Sequence, residues 1–157
     1  MICFLTLFLL AETALELPRL GYLPSEDGTL RPLYGMRGNF VLGDRLPEGT
    51  KPEPIAKKAA RTVVKEDGRH WIVEVNSKTE RIRTALPPGR LYAIDSEDRL
   101  WWADEKRISC GVREWVAPAT VWAFVMLRDG WMAVRTAEGD HAARCGDRDL
   151  YLLPRPE

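Results

Sequence analysis

Apolar and polar residues alternate along most of this chain with the period of strands rather than helices. Thr62-Val-Val-Lys65 and His70-Trp-Ile-Val-Glu-Val75 flank an Asp67-Gly68 pair. β-Branched and aromatic runs on both sides of Asp-Gly predict a tight hairpin. Val121–Leu127, Asp129-Gly130 and Trp131–Val134 repeat that grammar, and Asp27-Gly28 separates Gly21–Leu23 from Thr29-Leu30. Pro87-Pro88-Gly89 opens the run Arg90–Ile94, and Ser96-Glu97-Asp98 turns into Arg99–Trp102. Roughly a dozen short strands at such intervals predict an all-β fold of short antiparallel hairpins, propeller-like or a partial propeller, with a β-sandwich or barrel as alternatives.

Helix has little support. Pro18, Pro24, Pro32, Pro47, Pro52 and Pro54 interrupt the first third, and Pro118, Pro154 and Pro156 the end. The best helical spacing is over 53–65, with Ala56, Ala59, Ala60 and Val63 in phase. A surface loop leading into the Thr62 strand is the alternative there. The Pro-, Gly- and charge-rich stretch 44–54 reads as a linker.

The opening run, Met1–Ala11, breaks the alternation with dense apolar sequence. It is too short for a membrane helix, which needs about 20 apolar residues. It matches the apolar region of a secretory signal, with small residues at Ala11, Thr13 and Ala14. No Lys or Arg precedes it, and Cys3 lies at its start, not at its end where a lipoprotein signal would need one. The expectation is a signal peptide over 1–14 and a single all-β domain over 15–157, secreted or periplasmic, without a stable membrane span. A buried N-terminal strand or helix is the competing account.

Charge then narrows the partners. Lys plus Arg and Asp plus Glu both number 23, so the formal net charge is zero, which argues against a nucleic-acid binder. The basic cluster Lys57, Lys58, Arg61, Lys65 is flanked by Glu53, Glu66 and Asp67 and reads as a solvated face. With Cys3 leaving in a signal, Cys110 and Cys145 remain, and an even pair in an exported chain predicts a disulfide. Two free buried thiols are the alternative.

Weak internal repetition is present. Trp71-Ile-Val-Glu-Val75, Leu91-Tyr-Ala-Ile-Asp95 and Trp131-Met-Ala-Val-Arg135 align at successive offsets, and Cys110-Gly-Val-Arg-Glu114 resembles Cys145-Gly-Asp-Arg-Asp149. A period of roughly 40 residues with four strands is that of a propeller blade. The repeat and the disulfide pull apart. Equivalent places in neighbouring blades need not lie within bonding distance, whereas a bonded pair would make the alignment chance.

Gly21-Tyr-Leu-Pro24 followed by Leu30-Arg-Pro-Leu-Tyr-Gly-Met-Arg-Gly-Asn-Phe-Val-Leu-Gly43 resembles a stretch just after the leader in certain secreted bacterial β-propeller-like proteins. The likeness covers Gly21–Asp44. This chain carries Met36-Arg37 between Gly35 and Gly38, where an apolar residue and Pro are expected, and is about half the length of such a propeller. The resemblance implies a fold and a compartment but no chemistry. Physically, Arg31-Pro32 marks a strand edge, and Gly35 and Gly38 permit positive φ at a reversal. The Gly-X-X-Gly spacing also occurs in the KH RNA-binding loop, but no helix pattern or positive surplus surrounds it.

Motifs for chemistry are sparse. With two histidines, His70 and His141, and no Cys-X-X-Cys or His-X-X-X-His, no metal or cofactor is expected. No nucleophile elbow, P-loop or dinucleotide fingerprint occurs, so no catalytic residue is assigned. The acidic run Asp95-Ser-Glu-Asp98, with Asp104 and Glu105, lacks EF-hand spacing and reads as a solvated hairpin tip. All six tryptophans follow residue 70. Trp101 and Trp102 are adjacent on a strand, so one faces the core and the other outward as a platform for a sugar or a partner surface. The expected function is an exported β-repeat binding or assembly module, joining a protein partner or a second copy through exposed sheet edges. The alternative is a small extracellular hydrolase using His70 or His141 with nearby carboxylates.

Overall fold

The computed structural model describes residues 17–53, 60–75 and 81–155. The fold is all-β, and the described strands form four small antiparallel meanders in chain order, none closed into a barrel. Sheet I comprises β1 (Arg19–Pro24), β2 (Leu30–Met36) and β3 (Asn39–Leu42); sheet II comprises β4 (Arg61–Glu66), β5 (Arg69–Val75) and β6 (Arg81–Ala85). Sheet III holds β7 (Leu91–Ile94), β8 (Leu100–Asp104), β9 (Arg107–Ser109) and β10 (Glu114–Val116). Sheet IV holds β11 (Val121–Met126), β12 (Trp131–Thr136), β13 (Gly139–Arg144) and β14 (Tyr151–Leu152). Residues 1–14, expected as a leader, lie outside the described residues. Of the 53–65 helix candidate, Arg61–Glu66 is strand β4 and 54–59 lies outside the described residues. Its β-branched Thr62, Val63 and Val64 outweigh the helical phase of the alanines, because they pair with β5 in unbroken register.

Turn chemistry sets the hairpins. Asp67 and Gly68 take φ of 50° and 76°, and Asp129 and Gly130 take 56° and 75°, the two left-handed residues that an Asp-Gly turn supplies. The first hairpins of sheets I and III share one geometry. Ser25 N–H donates to the Thr29 carbonyl and Gly28 N–H to that of Ser25, while Asp95 N–H donates to Arg99 and Asp98 N–H to Asp95. The repetition is one of geometry and not of sequence, because Ser25 stands where Asp95 does and the two Ser-Glu-Asp runs are offset by one residue. Of the three segments aligned by sequence, Trp71 and Trp131 both lie in second strands, but Trp131 opens β12 whereas Trp71 is the third residue of β5, and Leu91 opens a first strand, so the alignment does not mark equivalent places.

The sheets stack in the order I, IV, III, II. Alternate residues of β12 point to opposite faces. Met132 and Val134 join Trp101, Ile108 and Trp115 of sheet III in one core, while Trp131 and Ala133 join Leu20, Leu23 and Leu33 of sheet I in another. Sheet IV is therefore buried on both faces, and the small Ala133, Ala142 and Ala143 let its neighbours approach. β7 packs against both β11 and β4, so first strands adjoin through the stack. Sheet II contributes one buried side chain, Val73, among its described residues. It meets sheet III through the Arg61–Asp98 ion pair at 3.2 Å and the His70–Tyr92 ring contact at 5.3 Å.

Cys110 and Cys145 form a disulfide with Cα atoms 5.8 Å apart. Each cysteine follows the third strand of its sheet, so the two Cys-Gly segments are equivalent and bonded at once. The opposition between repeat and bond disappears because sheets III and IV pack face to face. The linker expectation holds over 44–53, which carries no strand or helix and is tied to sheet I by the Leu46 N–H to Leu30 carbonyl bond and the Arg45–Asp27 ion pair.

Candidate functional site

Trp101 and Trp102 point to opposite faces of β8. Trp101 is fully buried, stacked on Trp115 with centroids 5.4 Å apart and edge-on to Phe124, and its Nε1–H donates to Asp95 Oδ2 at 2.8 Å. It has no surface to offer a ligand. Trp102 is half-buried, with the guanidinium groups of Arg90 and Arg107 at 4.1 and 5.2 Å from its ring centroid.

The acidic turn differs from the solvated tip expected. Asp95 is fully buried and accepts from the Glu97 and Arg99 backbone N–H groups at 2.9 Å, from Arg99 Nε at 3.0 Å and from Trp101 Nε1. Four donors satisfy a carboxylate that would otherwise be costly to bury. It locks the turn to the core and fixes Arg99, whose Nη2 lies 2.8 Å from Glu97 Oε2. That contact is an ion pair without hydrogen-bond geometry. No cluster of three or more potential metal ligands occurs among the described residues.

Two adjoining cavities open around Arg99. The first, about 540 Å³, is walled by Leu20 and Arg37 of sheet I, Glu97 and Arg99 of sheet III, and Asp129, Trp131 and Arg144 of sheet IV. The second, about 550 Å³, is walled by Trp102, Leu100, Val112, the disulfide and Arg61 of sheet II. Arg99 and Gly146 line both. These volumes lie in the range of small-molecule sites, roughly 300–1,000 Å³.

Neither histidine lines either cavity. His70 lies on β5 against Tyr92, whose hydroxyl donates to the Pro87 carbonyl at 2.6 Å and whose pKa burial pushes up. His141 is buried in β13 with Nδ1 lacking a partner, and desolvation lowers its pKa against the opposing pull of the Gly139 carbonyl and Asp140. No concave histidine–carboxylate pair is formed at these cavities.

The outer strand of every sheet carries an exposed apolar side chain: Val41 on β3, Ile82 on β6, Val116 on β10 and Leu152 on β14. β10 and β14 span three and two residues, whereas β6 spans five, and Ile82 to Ala85 are all exposed. Among the described residues, sheets III and IV have a fourth strand where sheet II ends at β6. A second feature escaped sequence reasoning. The β11–β12 register slips between Val121 and Ala123, and Trp122 at that bulge is 56% exposed with Arg135 4.9 Å from its ring. The uniformly apolar run Val121–Leu127 carries no signal for such a slip.

No helix among the described residues is long and apolar enough to cross a membrane. The chain matches no family model, no curated protein and no solved structure.

Proposed function

We propose that this chain is an exported binding and assembly module that pairs with a protein partner or a second copy through an open sheet edge, foremost β6. The observation that carries the reading is the five-residue edge of sheet II, which no other strand pairs among the described residues, in a fold whose sheets III and IV each hold one strand more. An extended segment laid beside β6 would satisfy its outward N–H and C=O groups, and Ile82 would gain apolar cover. Arg83, ion-paired with Glu66, gives a second copy a penalty: antiparallel β6 pairing centred there sets like charges opposite each other. A partner strand with an acidic or neutral residue at that position pairs better. The disulfide is compatible with an oxidising compartment, and the opening apolar run supports export. The likeness of Gly21–Asp44 to secreted propeller-like proteins points the same way.

Light scattering of the protein, alone and with extracellular or periplasmic proteins crosslinked from its source, tests the reading. Assembly or crosslinking through β6 that is lost in Ala85→Pro, a position whose N–H points away from β5, with sheet III and IV packing intact by near-ultraviolet circular dichroism, is the expected result. A strict monomer whose crosslinks never include β6 overturns it.

A further inference from the structure

We propose that the two cavities meeting at Arg99 form one site for a small zwitterion with an apolar arm, of the class of apolar α-amino acids or the end of a short peptide. This inference is independent of edge pairing.

In the first cavity Arg37 is held by Asp147 at 3.1 Å and by the Tyr151 hydroxyl at 2.9 Å. Arg99 is held by Asp95 and Glu97. The Arg144 guanidinium makes no hydrogen bond among the described residues: its closest carboxylate oxygen is Glu97 Oε1 at 3.9 Å, and it lies 5.9 Å from the Trp131 ring centroid. Asp129 makes no hydrogen bond or ion pair among the described residues. The Arg144 guanidinium and the exposed Asp129 carboxylate thus line the same cavity without a hydrogen bond to any other described side chain, beside the equally unbonded Nη2 of Arg99. A lone anion would satisfy Arg144 and leave Asp129 unpaired, and a lone cation would do the reverse. A ligand bearing both a carboxylate and an ammonium answers both.

The second cavity supplies the arm. Its walls are Leu100, Val112, the indole of Trp102 and the Cys110–Cys145 disulfide, and it joins the first at Arg99 and Gly146. At the exposed Gly146 no atom lies within 4 Å of where a Cβ would stand, so no side chain bars the boundary between the cavities at this point. An aliphatic or aromatic side chain entering there stays continuous with polar ends held in the first cavity. Trp131 and Trp102, one in each cavity, are built-in reporters.

Calorimetry and tryptophan fluorescence with L-phenylalanine as probe test the proposal, with 3-phenylpropionate, phenethylamine and glycine as truncated probes. Each truncation removes one of the three recognition elements, so each is expected to bind about tenfold more weakly or worse. Arg144→Gln and Asp129→Asn are each expected to weaken phenylalanine binding by a similar factor. Asn is tolerated in the left-handed turn that Asp129 occupies, so that variant keeps the fold. Val112→Asp, on a side chain 86% exposed, disrupts only the apolar end. Tighter binding of phenylalanyl dipeptides than of phenylalanine assigns the site to peptide ends, and the opposite order to free amino acids. No binding of phenylalanine or its dipeptides at millimolar concentration overturns the proposal. So does binding of phenylpropionate or phenethylamine equal to that of phenylalanine, or indifference to both charge variants.

Discussion

Sheets IV and II are built from the same local ingredients and end in opposite conditions. Each begins with a hairpin closed by Asp-Gly and lined with β-branched and aromatic residues. β12 is buried on both faces, between the cores shared with sheets I and III. In sheet II only Val73 is buried among the described side chains, and no described strand pairs with the outer side of β6. The difference comes from neighbours and not from strand propensity, because strand preference largely measures what a pleated surface packs against. Sheet IV acts as the middle layer that holds the stack. Sheet II is attached to sheet III through polar and ring contacts, and its β6 edge is the one proposed above for pairing.

The largest expected effect comes from the core between sheets III and IV. Trp101→Ala removes the indole stacked on Trp115 and strands Asp95, and should cost about 3–5 kcal/mol in urea unfolding. A loss below about 1 kcal/mol would mean that this core does not carry the fold. Cys110→Ser with Cys145→Ser comes next. The bond closes a loop across a sequence separation of 35, so its removal should lower stability by roughly 3–4 kcal/mol. Sheet II hydrogen exchange should change least, since the bond joins sheets III and IV alone.

A matched pair of smaller changes addresses the comparison itself. Val134→Ala, at a fully buried position of β12, should cost about 2 kcal/mol, whereas Val64→Ala, at a half-buried position of β4, should cost less than about 1 kcal/mol. Equal costs would show that sheet II is as well covered as sheet IV.

The smallest effect is a pH dependence. Burial lowers the His141 pKa from its model-compound value of 6.5, so the unfolded chain binds its proton first as pH falls. Stability should therefore be complete above pH 6.5 and decline as pH drops through that value toward the lower folded pKa. Melting curves of the wild type against His141→Leu should converge in slope above this window and diverge within it. Asp27, lowered from 3.8 chiefly by its hydrogen bond from the Thr29 side chain, adds its own loss of stability only at more acid pH, as pH falls through its folded pKa. The two groups are separable by window.

Much of the strand content was legible because turn residues and alternation are local signals. Asp67-Gly68 and Asp129-Gly130 mark real hairpins, and the adjacency of Trp101 and Trp102 on one strand dictated that only one is buried. The Cys110–Cys145 bond was legible from pairing arithmetic, but its coexistence with the Cys-Gly repeat was not, since face-to-face stacking of sheets III and IV is a long-range property. The burial of Asp95 was hidden for a similar reason. Its Trp101 partner lies on the next strand, and composition alone makes Asp-Ser-Glu-Asp look solvated. The cavity charges come from three sheets, and no spacing in the chain brings Arg37, Arg99, Arg144 and Asp129 together. Trp122 escaped because a bulge inside an apolar run leaves no mark in the sequence.

Native-state hydrogen exchange resolved by strand tests the central contrast most directly. The amides of Met132–Val134 in β12 should be the slowest to exchange, opening only with global unfolding, while those of Ile82–Thr84 in β6 should exchange through local opening orders of magnitude faster. Protection of β6 equal to that of β12 in the isolated protein would contradict the account, because an edge that is already covered is not available to a partner.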